Sequence, residues 1–288
     1  MYTAKQLRAV FGKPIEPRIR LNLSEVTLVA QESVGKLSIS GMQPKLSVRL
    51  EGDELVAAPV GGRFILKPQT TTFPQLPENE YLCMQMAAEC GIRTAPNILL
   101  PLADGAWAYV VRRFDRAGAD QKVPCEDMAQ ILDKPKYDGS YEQIGRAMRQ
   151  YCTFPDLDVQ YLFERVLYCF VTGNGDAHLK NFSLLTQKDT VALSPAYDLV
   201  SSRIVIPDES EELALTLTGR KNRITRRNLL TFAATLGVPT QLAEERIGDY
   251  ANRPWMLERI AESHLSAERK EAFKQLIHDR IARLTSSD

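Results

Sequence analysis

The residues best suited to chemistry fall in the run Thr172-Gly-Asn-Gly-Asp-Ala-His-Leu-Lys-Asn-Phe182. The run follows an apolar stretch with helical spacing and precedes a strand-like one, so it reads as a loop at the ends of rigid elements. Asp176 and Asn181 stand in it with D-x-x-x-x-N spacing. A kinase catalytic loop uses that spacing: the carboxylate faces an incoming hydroxyl, and the amide, one loop turn later, faces a metal ion on the nucleotide phosphates. Alone the pair is a weak signal, because Asp and Asn also serve as turn formers whose side chains bond nearby backbone.

Two further features lie at fitting places. Ser194-Pro-Ala-Tyr-Asp-Leu199 puts Asp198 just after a short strand. A second carboxylate there suits Mg²⁺, a hard cation that prefers oxygen ligands. The stretch lacks the Asp-Phe-Gly form, and a cap or turn role for Asp198 stays open. Upstream, Lys67 ends the apolar strand Phe64-Ile-Leu. A lysine there is unusual unless it points at an anion. It is placed to contact ATP phosphates and pair with an acid on the next helix, which offers Glu78 and Glu80. Glu80 is the expected partner, as the first acid well inside that helix. Either acid could instead only favour the helix dipole. The polar loop Lys36 to Pro44 would lie over the phosphates, with backbone N–H groups near Ser40-Gly41 as a cradle and Lys45 adding charge. It is not G-x-G-x-x-G, and G-x-x-x-x-G-K-[ST] occurs nowhere in the chain, which disfavours a Walker-type nucleotide fold.

These residues need elements to hold them. Residues 1–35 are ambiguous; Leu21, Leu23, Val26 and Leu28 suit a strand or part of a short helix. Strands are expected at 45–50, 55–58 and 64–67, a helix at 78–90 stopped by Gly91, and a hairpin of 97–102 with 107–113. Beyond Gly118 the pattern turns helical: 126–132, 141–151 and 159–172, with Asp158 as a plausible N-cap of the last. A strand pair, 182–185 with 191–193, interrupts them, and helices follow at 226–236, 241–251 and 267–284. Strands first and helices second read as an α+β fold, or two lobes, cut near residue 115 into 1–115 and 116–288.

Composition narrows the class. The chain has 288 residues, 44% apolar and 25% charged, which suits a globular protein and not a disordered, collagen-like or coiled-coil one. Lys+Arg and Asp+Glu are both 36, so a chain that coats nucleic acid is disfavoured and any such site must be local. The local candidate is the basic cluster Arg220, Lys221, Arg223, Arg226 and Arg227, which also suits a solvated helix start. Five cysteines without a C-x-x-C pair read as buried thiols in a reducing compartment. The first residues lack a signal-peptide core and nothing is apolar enough to span a membrane, so a cytoplasmic protein is expected.

Taken together, Ser38-Ile-Ser-Gly-Met-Gln-Pro-Lys45, Phe64-Ile-Leu-Lys67, Arg113-Phe-Asp-Arg116, Glu126-Asp-Met-Ala-Gln130, Asn174-Gly-Asp-Ala-His-Leu-Lys-Asn181 and Tyr197-Asp198 resemble the HipA-like serine/threonine kinases, toxins of bacterial toxin–antitoxin operons. The stretches keep the family's order across residues 38–198. The resemblance implies a two-lobed, protein-kinase-like fold with a strand-rich N-lobe and a helical C-lobe. It implies Asp176 as catalytic base, Asn181 and Asp198 as Mg²⁺ ligands, and Lys67 with Lys45 on the ATP phosphates. The backbone from Arg112 to Phe114 would be the hinge gripping adenine, and His178 would be loop architecture. The family phosphorylates its own loop serine, and Ser38, with Ser40 beside it, stands at that position; phosphate there would turn the kinase off.

The resemblance also implies an aminoacyl-tRNA synthetase as substrate and a DNA-binding helix-turn-helix antitoxin as partner, so that DNA contact is indirect. Full-length members carry roughly a hundred more residues before the phosphate loop, whereas residues 1–35 precede it here. The chain therefore resembles the short, HipT-like form, whose N-terminal part comes from a separate small protein. Two rivals remain: a small-molecule kinase of aminoglycoside or choline type, and a non-catalytic subunit of a DNA complex.

Overall fold

The computed structural model describes residues 2–32, 43–117, 121–206 and 209–285. The chain forms two compact units, Met1–Tyr81 with Ala95–Lys122 and Leu82–Thr94 with Val123–Asp288.

The first unit opens with helices α1 (Ala4–Phe11) and α2 (Leu23–Glu32). Local chemistry makes α1. Thr3 Oγ1 accepts from the Gln6 N–H at 3.2 Å, the Gln6 side chain accepts from the Thr3 N–H at 3.0 Å, and Gly12 closes the helix at φ 75°. Leu7, Val10 and Phe11, at one-turn spacing, form its buried face. The ambiguous stretch at 21–28 resolves largely as helix α2. Val26 and Ala30, four apart, are buried while Leu28 is 57% exposed, whereas a strand would put residues 26 and 28 on one face.

Five antiparallel strands follow: β1 (Leu46–Glu51), β2 (Glu54–Ala57), β3 (Phe64–Pro68) and, after helix α3 (Leu76–Glu89), β4 (Asn97–Pro101) and β5 (Trp107–Arg112). Their order in the sheet is β2-β1-β3-β5-β4. Leu46, Val48, Phe64, Leu66, Ile98 and Val110 join Leu7, Val10 and Phe11 of α1 and Val26 of α2 in one apolar core. Since strand side chains alternate, Lys67 lies on the face opposite Leu66, beside its register partner Tyr109. The short strands β6 (Arg116–Ala117) and β7 (Gln121–Lys122) form a separate ribbon.

The second unit begins with the C-terminal part of α3. It continues through β8 (Cys125–Asp127), α4 (Met128–Leu132), α5 (Tyr141–Tyr151), α6 (Pro155–Thr172), β9 (Ser183–Gln187) and β10 (Thr190–Leu193). It closes with α7 (Arg226–Leu236), α8 (Thr240–Asp249), α9 (Trp255–Glu262) and α10 (Ala267–Thr285). Helix α6 is its axis: Val159, Leu162, Val166, Leu167, Phe170 and Val171 have no exposed surface, and every residue from 165 to 172 is buried.

Two expectations fail for physical reasons. Residues 126–132 do not begin as helix: 125–127 pair with β9, and Asp127 then caps α4 in a capping box with Gln130. Asp158 is not an N-cap. Pro155, which needs no N–H partner at a first helical position, starts α6 a turn earlier. Asp158 instead accepts the Leu193 N–H at 2.9 Å and ties β10 to α6. Among the described residues no helix is long and apolar enough to cross a membrane.

Candidate active site

In the first unit, β3 and the start of α3 bring Lys67 Nζ within 2.7 Å of Glu80 Oε1, with the two side chains 7% and 2% exposed. The ammonium also lies 5.5 Å from the centre of the Tyr109 ring. Glu78 accepts from Gln69 Nε2 at 2.7 and 2.6 Å. Lys45 stands half-buried just ahead of β1. Ser38, Ser40 and Gly41 lie outside the described residues.

At the expected hinge, the Arg112 N–H bonds the Pro96 carbonyl at 2.8 Å and the Arg113 N–H bonds the Arg63 carbonyl at 2.9 Å. Both amides therefore serve the sheet. Arg112 acts with its side chain as well, Nη1 donating to the Ala9 carbonyl at the end of α1 at 3.2 Å. Phe114 is half-buried beyond β5. The neighbouring Asp115 takes a two-pronged bond from Arg113 at 2.9 and 2.7 Å. Burial pushes the Asp115 carboxyl up, but the Arg113 bond and the charges of Arg113 and Arg116 outweigh it and hold it below the usual carboxylate range.

In the second unit, α6 ends at Gly173 (φ 67°), and the loop behind it is tied down at almost every residue. The Asn174 N–H bonds the Cys169 carbonyl at 2.8 Å, and Asn174 Oδ1 accepts from the Asp176 N–H at 3.2 Å. The Gly175 N–H bonds Ser202 Oγ at 2.8 Å, and the Tyr141 hydroxyl donates to the Ala177 carbonyl at 3.0 Å. The Leu179 N–H bonds the Lys136 carbonyl at 3.0 Å. A backbone so anchored leaves the Asp176 carboxylate exposed on a rigid base. Its Oδ1 accepts from the Tyr137 hydroxyl at 2.6 Å.

Asn181 and Asp198 meet in the same unit, Nδ2 to Oδ2 at 3.4 Å. Asn181 Oδ1 accepts from the His178 N–H at 3.0 Å and keeps a second lone pair. Asp198 sits in the left-handed region at φ 54°, which Asp adopts more readily than most residues. Tyr197 fixes it from the preceding position: its hydroxyl pairs with Ser183 Oγ at 2.6 Å and donates to the Lys180 carbonyl at 2.7 Å. His178 is 8% exposed, and burial lowers its imidazole despite the opposing charge of Asp176. It is therefore held toward the neutral form.

Among the described residues no three His, Cys, Asp or Glu side chains gather as a metal cage. Mg²⁺ does not need one: it commonly takes one or two protein oxygens and completes its shell with phosphate and water. Asn181 and Asp198 form a donor set of that kind. In the basic cluster, Lys221 pairs with Glu211 at 2.9 Å and Arg226 approaches Glu244 at 3.8 Å, while Arg220, Arg223 and Arg227 are exposed.

Sequence reasoning misses Tyr137 and Ser202. Each acts through a contact distant in the chain, and each is a type that usually reads as core or loop. The Arg113–Asp115–Arg116 network was legible only as a motif.

Known proteins resemble the chain in sequence and in fold. HipA-like C-terminal domains match residues 37–255. Y4mE of Sinorhizobium fredii is 33% identical over 237 residues, 76% of this chain and 55% of that protein. The serine/threonine-protein kinase toxin HipA of Shewanella oneidensis is 27% identical over 246 residues, 76% of this chain and 55% of that protein. The chain thus spans little more than half the length of these relatives. Among solved structures, the HipA, HipB and operator DNA complex of Shewanella oneidensis MR-1 matches with TM-score 0.71 and 24% identity over 86% of this chain and 64% of that chain. The Helicobacter pylori proinflammatory kinase CtkA matches with TM-score 0.56 and 13% identity over 86% and 91%. The fold is therefore α+β and protein-kinase-like, and the chain belongs to the family of HipA-like C-terminal domains.

Proposed function

We propose that the protein is an ATP-dependent serine/threonine kinase that phosphorylates another protein. The observation that carries this reading is the second unit's grouping of an exposed Asp176 carboxylate on an anchored loop with Asn181 and Asp198. Asp176 orients the acceptor hydroxyl and takes up its proton as the oxygen attacks the γ-phosphorus. Lys67, aimed by Glu80, binds the nucleotide phosphates, and Lys45 adds charge. Asn181 and Asp198 hold Mg²⁺, which when bound neutralises phosphate charge. Phosphoryl transfer asks for positioning and electrostatics more than covalent chemistry, and a braced loop supplies positioning.

The finer reading follows the family. The chain acts as the toxin of a toxin–antitoxin pair in the cytoplasm, phosphorylates an aminoacyl-tRNA synthetase and so blocks translation. A small helix-turn-helix antitoxin contacts DNA on its behalf, and a small protein stands in for the N-terminal subdomain. Phosphate on Ser38 or Ser40 would add about −1.5 to −2 charge where ATP phosphates bind and switch the enzyme off.

The test is transfer of ³²P from γ-labelled ATP to proteins of a cell lysate, with peptide mass spectrometry of the enzyme. Label on a protein band supports the reading; label on small molecules alone would favour a small-molecule kinase. Equal phosphate on Ser38 and Ser40 in parent and Asp176→Gln protein would exclude self-modification.

A further inference from the structure

Asp176 is fixed by its backbone on both sides and its side chain by a single bond. Its N–H bonds Asn174 Oδ1 at 3.2 Å and its carbonyl accepts from the His178 N–H at 2.8 Å. The carboxylate itself has one hydrogen-bond partner among the described residues, the Tyr137 hydroxyl at 2.6 Å. A carboxylate turns in a broad, roughly two-fold well, so without a partner its two oxygens exchange places easily. A short O–H···O⁻ bond is charge-assisted and strong enough to stop that exchange.

Tyr137 is itself held. The Lys136 carbonyl accepts the Leu179 N–H at 3.0 Å, and the Asp138 N–H bonds the Pro135 carbonyl at 3.0 Å, which closes a turn around it. Its ring packs edge-on against His178 with centres 5.1 Å apart, and Lys136 Nζ lies 4.6 Å from the ring centre. Burial, then the Asp176 acceptor, pushes its phenol above the ordinary value, so it stays a donor at neutral pH. Yet 46% of the residue remains exposed, too much for a purely structural core tyrosine.

We propose that Tyr137 is a positioning residue for phosphoryl transfer: its hydroxyl pins Oδ1 of Asp176 and so presents Oδ2 to the acceptor hydroxyl. The proposal rests on the kinase reading above. During transfer the acceptor O–H bond breaks, its proton passes to Asp176 Oδ2, the oxygen bonds the γ-phosphorus, and ADP leaves with the electrons of the broken P–O bond. Tyr137 keeps its proton throughout.

The test compares parent, Asp176→Asn and Tyr137→Phe proteins for transfer to the labelled acceptor, ATP affinity and thermal unfolding. Tyr137→Phe is expected to lower kcat about tenfold or more, since orientation of the base is lost while binding is not. KM for ATP and the affinity for ATP should stay within about twofold of the parent. An unchanged kcat would overturn the proposal, and so would a faster enzyme, which would make Tyr137 a plug and not a strut. A fall in ATP affinity matching the fall in rate would also overturn it, as general disruption. If Tyr137→Phe fails to fold, Tyr137→Leu, which likewise removes the donor, serves: a folded variant at full rate overturns the proposal, and a selective kcat loss supports it. No transfer by the parent, or equal transfer by Asp176→Asn, would instead defeat the kinase reading itself.

Discussion

The Lys67 ammonium and the Glu80 carboxylate lie 2.7 Å apart with almost no exposed surface. Burial makes the pair interdependent. Each ion loses its hydration on folding, and the other offsets part of that loss.

Removing one partner should therefore cost far more than removing both. Glu80→Leu leaves an uncompensated ammonium and should destabilise by about 3–5 kcal/mol. The double variant Lys67→Met/Glu80→Leu should be nearer the parent. Urea midpoints of Glu80→Leu, Lys67→Met and the double variant check this. A double variant as unstable as the sum of the singles would show that the pair is not coupled.

Asp198→Asn should separate metal binding from folding. Asn tolerates the left-handed conformation that Asp198 adopts at φ 54°, so the backbone is not strained by the change. The loss of a carboxylate should raise the Mg²⁺ concentration for half-maximal transfer about tenfold or more. The melting temperature should move little. Chelation of the metal should stop transfer in the parent, and an Mg²⁺ dependence unaltered by Asp198→Asn would remove Asp198 from the metal site.

Ser202 braces the loop from a distance, accepting the Gly175 N–H at 2.8 Å and donating to the Gly173 carbonyl at 3.3 Å. Ser202→Ala leaves that N–H unpaired and should cost about 1–3 kcal/mol. The rate of transfer should fall several-fold with little change in KM for ATP. Hydrogen exchange of the Gly175 amide is the direct check: equal protection in parent and variant would contradict the bracing role.

Acid should loosen the C-terminal helices through Glu212. Its carboxylate contacts Arg280 Nη1 at 2.7 Å, poorly aligned for a hydrogen bond, and Arg283 Nη1 at 2.7 Å, and accepts the Ile224 N–H at 3.0 Å. Burial pushes this carboxyl up, but the Arg283 bond, the Ile224 N–H and the two guanidinium charges outweigh it and hold it below its ordinary value of 4.5. A lowered folded value means that the group's contribution is complete above the unfolded value and is lost as pH falls through the folded one. Unfolding midpoints should drop below about pH 4.5 in the parent and drop less steeply in Glu212→Gln. Identical slopes would contradict the assignment.

Legibility follows distance along the chain. The nearness of Asn181 to Asp198 is readable because one strand pair separates them, and Lys67 with Glu80 because a charged residue ending an apolar strand needs an opposite charge. The helices α5, α6, α7 and α10 are readable from periodicity and capping residues such as Thr225. Strand β8 is not, since three residues make a strand only by pairing with β9. Helix α1 had a legible capping box, Thr3 with Gln6, but its short apolar face is ambiguous until it packs against the sheet. Tyr137 escapes altogether: it lies 39 residues from Asp176, and no local pattern joins them.

The most direct test of the account is the rate at which purified parent and Asp176→Asn proteins transfer γ-phosphate from ATP to a protein hydroxyl. The account predicts label on protein serine or threonine with the parent and a loss of about a hundredfold or more in the variant. Equal rates from the two proteins would contradict it.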